Sequence, residues 1–140
     1  MIFDGSRRLL ILKPTYKKGW TLPGGQIDPD GESPWDACRR EVREETGLAV
    51  VGGRLACVDF LRPRATRAGG VRFLFDCGVM ADERLAAVAL QTEEIAEHRL
   101  LEPDRAAELL SGPLRRRVSA TLAAKGFVYL EEGRPLAAVG

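Results

Sequence analysis

The segment Gly24–Leu48, GGQIDPDGESPWDACRREVREETGL, decides how the rest of the chain is read. It opens with two glycines and a polar loop holding Pro29 and Gly31, then changes character at Ser33. Ser33-Pro34 predicts a helix start: serine at the N-cap, and proline at the first helical position, where its missing N–H costs nothing. The helix should run to about Thr46 and stop at Gly47. On a wheel of about 100° per residue, Trp35, Cys38 and Val42 form a narrow apolar stripe for packing. Glu41, Glu44 and Glu45 gather on a neighbouring arc. Glu41 and Glu45 are i, i+4 neighbours of like charge, and Glu45 lies near the negative end of the helix, so both effects oppose ionisation. A hard divalent cation offsets them, because Mg²⁺ takes carboxylate oxygens and keeps waters that substrate phosphates can replace. The plainer reading is a solvated acidic face with Arg39, Arg40 and Arg43 as ion-pair partners. The flanking residues weigh against it: Leu22-Pro23-Gly24-Gly25 and Glu32 precede the helix, and glycines let a backbone approach a ligand or offer a carbonyl to a metal.

Outside this segment the chain has the material of an ordinary globular domain. It has 140 residues, 45% hydrophobic and 29% charged, enough to fill a core and too apolar for a disordered tail. Lys+Arg 21 against Asp+Glu 20 leaves a formal net charge of +1, which argues against a protein that coats nucleic acid. One histidine and three cysteines (Cys38, Cys57, Cys77) far apart in the chain leave little for zinc, triad or disulfide chemistry. No signal-peptide core or membrane-length apolar run is seen, so a cytoplasmic protein without membrane contact is expected. Strands are predicted at Leu9–Leu12, Trp20–Leu22, Leu48–Val51, Leu55–Phe60, Val71–Met80 and Phe127–Leu130, and rear helices at Pro103–Leu110 and Leu114–Ala124. Glu93–Leu101 is ambiguous between helix and strand. Strands and helices mix without regular βαβ alternation, which predicts an α+β fold over residues 1–140 as one domain.

Gly25, Glu32 and the run Arg40-Glu41-Val42-Arg43-Glu44-Glu45-Thr46-Gly47-Leu48 resemble the Nudix box, G-x5-E-x7-R-E-U-x-E-E-x-G-U with U aliphatic. Every fixed position from Glu32 onward matches, while six residues rather than five separate Gly25 from Glu32. The added residue falls in the loop Asp28-Pro29-Asp30-Gly31, and Trp20–Gly25 is also similar to the family's run-in to the box. The resemblance implies an α/β/α sandwich with a mixed central sheet, and a hydrolase of nucleoside diphosphates linked to another moiety. It implies that Glu41, Glu44 and Glu45 bind Mg²⁺ or Mn²⁺, that the Gly25 carbonyl adds a ligand, and that Arg40 and Glu32 form a structural ion pair. Such metals neutralise the diphosphate and lower the pKa of an attacking water. A later carboxylate often serves as base in this family; Glu93 and Glu94 are candidates, against the simpler reading of an exposed acidic turn.

Pro63, 15 residues after Leu48, is associated in this family with ADP-ribose pyrophosphatases. Arg62, Arg64 and Arg67, with Arg72 beyond, could meet phosphate oxygens, or form no more than a solvated basic loop. A nucleoside diphosphate sugar such as ADP-ribose is therefore the expected substrate, with a nucleoside triphosphate as the alternative. A non-catalytic Nudix-like ligand-binding domain is disfavoured because every box carboxylate is present. The partner expected is a nucleotide-derived small molecule and not nucleic acid. Arg115-Arg116-Arg117 reads most simply as an exposed helix face. Only six residues precede Arg7, so the first strand is expected to be short or missing, with a homodimer partner as one way to cover the exposed edge.

Overall fold

The structure is a computed structural model and describes residues 1–139. Its organisation follows from β1 (Leu9–Pro14), whose residues Leu9–Leu12 are completely buried. Alternate side chains of a strand point to opposite faces. Leu9 and Ile11 accordingly enter one apolar cluster with Phe3, Ala56, Leu74, Val118 and Leu130, and Leu10 and Leu12 enter another with Val42, Leu48, Met80 and Ile95. A strand buried on both faces is a middle layer. Helices α3 (Pro103–Leu109) and α4 (Gly112–Ala123) cover the first cluster, and α1 (Pro34–Thr46) and α2 (Asp82–Ala86) the second.

The middle layer has two parts. β1 pairs antiparallel with β4 (Ile95–Leu101), from Leu9↔Leu101 to Lys13↔Glu97. A four-stranded sheet has the order β3-β2-β5-β6, from β2 (Arg54–Leu61), β3 (Gly70–Asp76), β5 (Val128–Glu131) and β6 (Arg134–Pro135). β2 and β5 run parallel, and the other neighbours antiparallel. The fold is therefore α+β with a mixed sheet between helical layers. No helix among the described residues is long and apolar enough to cross a membrane.

Met1–Phe3 are buried and act as the short first strand that the sequence leaves in doubt. The N–H of Leu10 donates to the Ile2 carbonyl at 2.9 Å on one side, and the N–H of Cys77 to the Met1 carbonyl at 2.8 Å on the other. The chain's own first residues thus lie along the edge for which a partner chain is one expected cover. Three other expectations are corrected. Leu48–Val51 forms no strand, although Leu48 and Val50 are buried as alternation predicts; the carbonyls of Val50 and Ala49 accept from the Arg39 and Arg84 side chains rather than from a neighbouring strand. The strand expected at Val71–Met80 ends at Asp76, whose carboxylate accepts from Gly78 N–H at 2.9 Å in a turn. Arg115 and Arg116 are exposed as read, but Arg117 turns inward and is not part of that solvated face. Arg117 Nε reaches the fully buried Asp59 at 2.6 Å, and Arg115 donates to the carbonyls of Ala107 and Glu108 near the end of α3.

Candidate active site

Helix α1 begins and ends where the sequence predicts. The Ser33 side chain accepts from Asp36 N–H at 3.1 Å, Pro34 occupies the first turn, and Gly47 adopts φ +73° as its N–H bonds the Arg43 carbonyl at 2.9 Å. Val42 is buried in the second core cluster, with Trp35 and Cys38 packed against it, so the apolar stripe faces inward as read. That packing sets the rotation of the helix and turns the acidic arc toward the loop Pro23–Gly25.

Glu45 is the most enclosed of the three acids, at 5% exposure. Its Oε2 accepts from Gly24 N–H at 2.8 Å, the one hydrogen bond its carboxylate receives among the described residues. Gly24 presents that N–H from φ +151°, a backbone conformation that side chains disfavour. Burial raises the Glu45 pKa from 4.5 to about 7; the Gly24 hydrogen bond opposes this, and the charges of Glu41, Glu94 and Glu44 add to it. Glu41 lies against Gly25 so closely that a Cβ there would fall 2.3 Å from Glu41 Oε1. Glu94 sits in the turn before β4, held by Thr15 N–H on its carbonyl at 2.8 Å, and its charge reaches Glu45. Glu93, the other candidate, contributes its carbonyl to the Thr15 hydroxyl at 2.8 Å.

Arg40 organises the approach to this cluster. Its guanidinium grips Glu32 with two bonds, Nε to Oε1 at 2.7 Å and Nη2 to Oε2 at 3.0 Å, and also donates to the Gln26 carbonyl at 3.0 Å. Glu32 in turn accepts from Asp28 N–H at 2.9 Å, and this network absorbs the extra loop residue in a turn at Pro29–Gly31. The Arg40 side chain holds the Glu32 carboxyl below its usual range. The third guanidinium nitrogen lies 3.0 Å from Glu41 and 3.1 Å from Glu44. Among the described residues, no three acidic, thiol or imidazole side chains are yet gathered closely enough to enclose an ion, and Arg40 supplies the positive charge between Glu41 and Glu44.

Beside the loop lies a cleft of about 430 Å³ between Pro23–Ile27, α1 (Pro34, Ala37, Cys38) and β3 from Val71 to Phe75. Its lining includes Arg72 and Phe73 and none of Arg62, Arg64 and Arg67. Those three arginines are drawn to the β5–β6 turn: Arg62 to Glu131, Arg64 to Glu132 at 3.3 Å, and Arg67 to Glu132 at 2.8 Å. The sequence could not show this, because Glu131 and Glu132 lie some 65 to 70 positions away. Arg72, grouped with them in the sequence, differs in lying within β3 rather than in the loop.

The NUDIX domain family model matches residues 1–122. The chain belongs to the NUDIX family. An uncharacterised Nudix hydrolase of Pseudomonas aeruginosa is 31% identical over 120 residues, 77% of this chain and 63% of that protein. An isopentenyl-diphosphate delta-isomerase of Mycolicibacterium vanbaalenii is 32% identical over 102 residues, 69% of this chain and 56% of that protein. Among solved structures, the MutT protein of Methanosarcina mazei superposes with a TM-score of 0.71 at 26% identity, over 86% of this chain and 87% of the other. This Nudix chain thus spans less than two thirds of the length of both sequence relatives. Nudix hydrolases generally use a divalent metal.

Proposed function

We propose that this Nudix protein hydrolyses a phosphoanhydride bond in a nucleoside diphosphate linked to a second group, with a divalent cation held by Glu41, Glu44, Glu45 and the Gly25 carbonyl. The observation that carries the reading is Glu45: a buried carboxylate beside Glu41, Glu44 and Glu94, with a backbone N–H as its hydrogen-bond partner. Arg40 offsets the charges of Glu41 and Glu44 but pairs with Glu32, Glu41 and Glu44 rather than Glu45, whose burial as a carboxylate is unfavourable unless a cation joins it. The donors are oxygens, the choice of Mg²⁺ and Mn²⁺, and only a glycine at position 25 leaves room for the Glu41 carboxylate. When bound, the cation supplies neutralisation of the diphosphate and activation of water.

The chain's own residues supply the rest. Arg40 and Glu32 hold the glycine loop on the helix, fixing Gly24 and Gly25 relative to Glu45 and Glu41. Glu94, with its charge near Glu45 and its side chain exposed, accepts the proton of the attacking water. Arg72 at the cleft wall pairs with phosphate oxygens, and Ile27, Phe73 and Phe75 give the non-phosphate part an apolar seat.

Within that class we favour a nucleoside diphosphate sugar such as ADP-ribose, on the position of Pro63. The engagement of Arg62, Arg64 and Arg67 with Glu131 and Glu132 favours the alternative, a nucleoside triphosphate, because it leaves Arg72 as the arginine of the cleft. Comparing kcat/KM for ADP-ribose and dGTP, with Mg²⁺ or Mn²⁺ and after chelation, tests both levels. Turnover that survives chelation overturns the metal assignment, and a tenfold preference for the triphosphate overturns the sugar.

A further inference from the structure

Two of the three cysteines are brought together by the fold. Cys38 stands on the inward stripe of α1 beside Trp35, whose ring meets Phe75 of β3 edge-on at 5.1 Å between centroids. A Cβ on Gly53 would lie 2.9 Å from Trp35 Cη2 and 3.0 Å from the Asp76 carbonyl, so this face of α1 rests directly against the end of β3. Cys77 is the next residue. Its N–H is fixed by the Met1 carbonyl, and its side chain packs in the same apolar cluster as Cys38. Both thiols are free and half-buried, and they lie against each other closely enough to perturb one another's proton. Cys57 is completely buried in the other cluster.

We propose that Cys38 and Cys77 form a dithiol site that a hydroperoxide oxidises to an intramolecular disulfide, fastening α1 to the segment that leaves β3. A disulfide needs two Cβ atoms held near each other by elements that need not move. A helix packed through Trp35 and a backbone pinned to Met1 meet that need. Access is present from two sides: Cys38 lines the large cleft, and Cys77 lines a shallow depression with Gly52, Gly53 and Gly78. The contact with Cys77, and then burial, raise the Cys38 pKa, and the contact with Cys38 lowers that of Cys77. Cys77, on the open depression with its backbone fixed by Met1, is assigned as the attacking thiolate. Its sulfur attacks the distal peroxide oxygen, the O–O bond breaks, and the alkoxide or hydroxide leaves with a proton as an alcohol or water, so that Cys77 carries a sulfenic acid. The Cys38 sulfur then attacks the Cys77 sulfur, the S–S bond forms, and the hydroxyl leaves as water with the Cys38 proton. Two thiols lose two electrons to one peroxide, and reduction by a dithiol restores both.

The site requires no assumption about the substrate, and its test reads thiols rather than turnover. Protein treated with hydrogen peroxide, then unfolded and titrated with a chromogenic disulfide, should fall from three thiols to one, with recovery in dithiothreitol. Peptide mapping should find Cys38 joined to Cys77 within one chain. Cys57→Ser should still lose both remaining thiols together, and Cys38→Ser or Cys77→Ser should yield no intramolecular crosslink. If either of those two variants fails to fold, mapping of the wild-type chain decides alone. A wild-type protein that keeps three thiols, or forms bonds through Cys57 or between chains, overturns the proposal.

Discussion

Substituting Glu45→Gln should make the metal-free protein more stable and the metal-loaded protein less so. Burial lifts the Glu45 carboxyl from 4.5 to about 7. An acid whose folded pKa lies above its unfolded one binds its proton more tightly in the folded chain, so wild-type stability falls as pH rises through that window and levels off above it. That displacement corresponds to at most about 3 kcal/mol at pH 8. Glutamine has no charge to bury, and its carbonyl oxygen can still accept from Gly24 N–H. Its amide N–H₂ must find a partner, which costs about 1 kcal/mol of the gain. The variant should therefore be more stable by about 2 kcal/mol at pH 8 in chelator, and less stable by about 1 kcal/mol well below pH 4.5, where neither side chain is charged.

Divalent cation should reverse the order. At about 100 times its dissociation constant, a ligand that binds only the folded state stabilises it by about 2.7 kcal/mol. Wild-type should gain that amount and the variant little of it, with turnover reduced by orders of magnitude. Urea unfolding at pH 4.5, 6 and 8.5, in chelator and in saturating Mg²⁺, reads all of these terms. Equal stability differences at pH 4.5 and 8.5 would refute the burial argument. Equal Mg²⁺ stabilisation of both proteins would remove Glu45 from the cation site.

Other perturbations test separate parts of the site. Gly25→Ala should displace the Glu41 carboxylate, since the new Cβ would lie 2.3 Å from its oxygen, and activity should drop while circular dichroism and the melting curve hold. Arg40→Ala should lower stability and kcat together by freeing the Gln26–Glu32 loop; an unchanged melting curve would instead place Arg40 on the substrate. Arg72→Ala should raise KM for a diphosphate substrate with little change in melting temperature, whereas Arg62→Ala should leave KM unchanged. Arg117→Met strands the buried Asp59 and should cost about 3–5 kcal/mol in urea unfolding, most of which Asp59→Leu in the same chain should restore.

What could be read from the sequence divides by the range of the interaction. Ser33, Pro34 and Gly47 act on their own helix ends, so α1 was legible to the residue, and so was the stripe Trp35–Cys38–Val42 that rotates its acids toward the glycine loop. The Arg40–Glu32 pair lies eight positions apart on a motif of known pattern, and it forms. Legibility ends where a partner comes from a distant element. Leu48–Val51 has the alternation of a strand and the burial that goes with it, but its carbonyls are taken by arginines from α1 and α2. Alternation reports which side chains are buried and does not report what satisfies the backbone.

The arginines carry the same lesson into function. Arginine bonds carboxylate and phosphate with one geometry, so an Arg-rich loop in sequence is equally a substrate clamp or a set of internal ties. Arg62, Arg64 and Arg67 are held by two acids of a hairpin turn, and Arg115 and Arg117 by carbonyls and a buried aspartate. An arginine on a cleft wall without a carboxylate partner has its donors available to a ligand there, and among the described residues Arg72 on β3 is such an arginine. The distinction matters most where the chemistry is shared across a family. If the carboxylate arc brings a cation to a diphosphate, as proposed, the side chains left to distinguish one diphosphate from another are those lining the neighbouring cleft. Among them are Arg72, Phe73 and Ile27, none of which belongs to the box's fixed positions. On the proposed function, specificity would rest with β3 and the glycine loop, and exchanging those side chains should change which substrate is preferred while the divalent-metal requirement stays with α1.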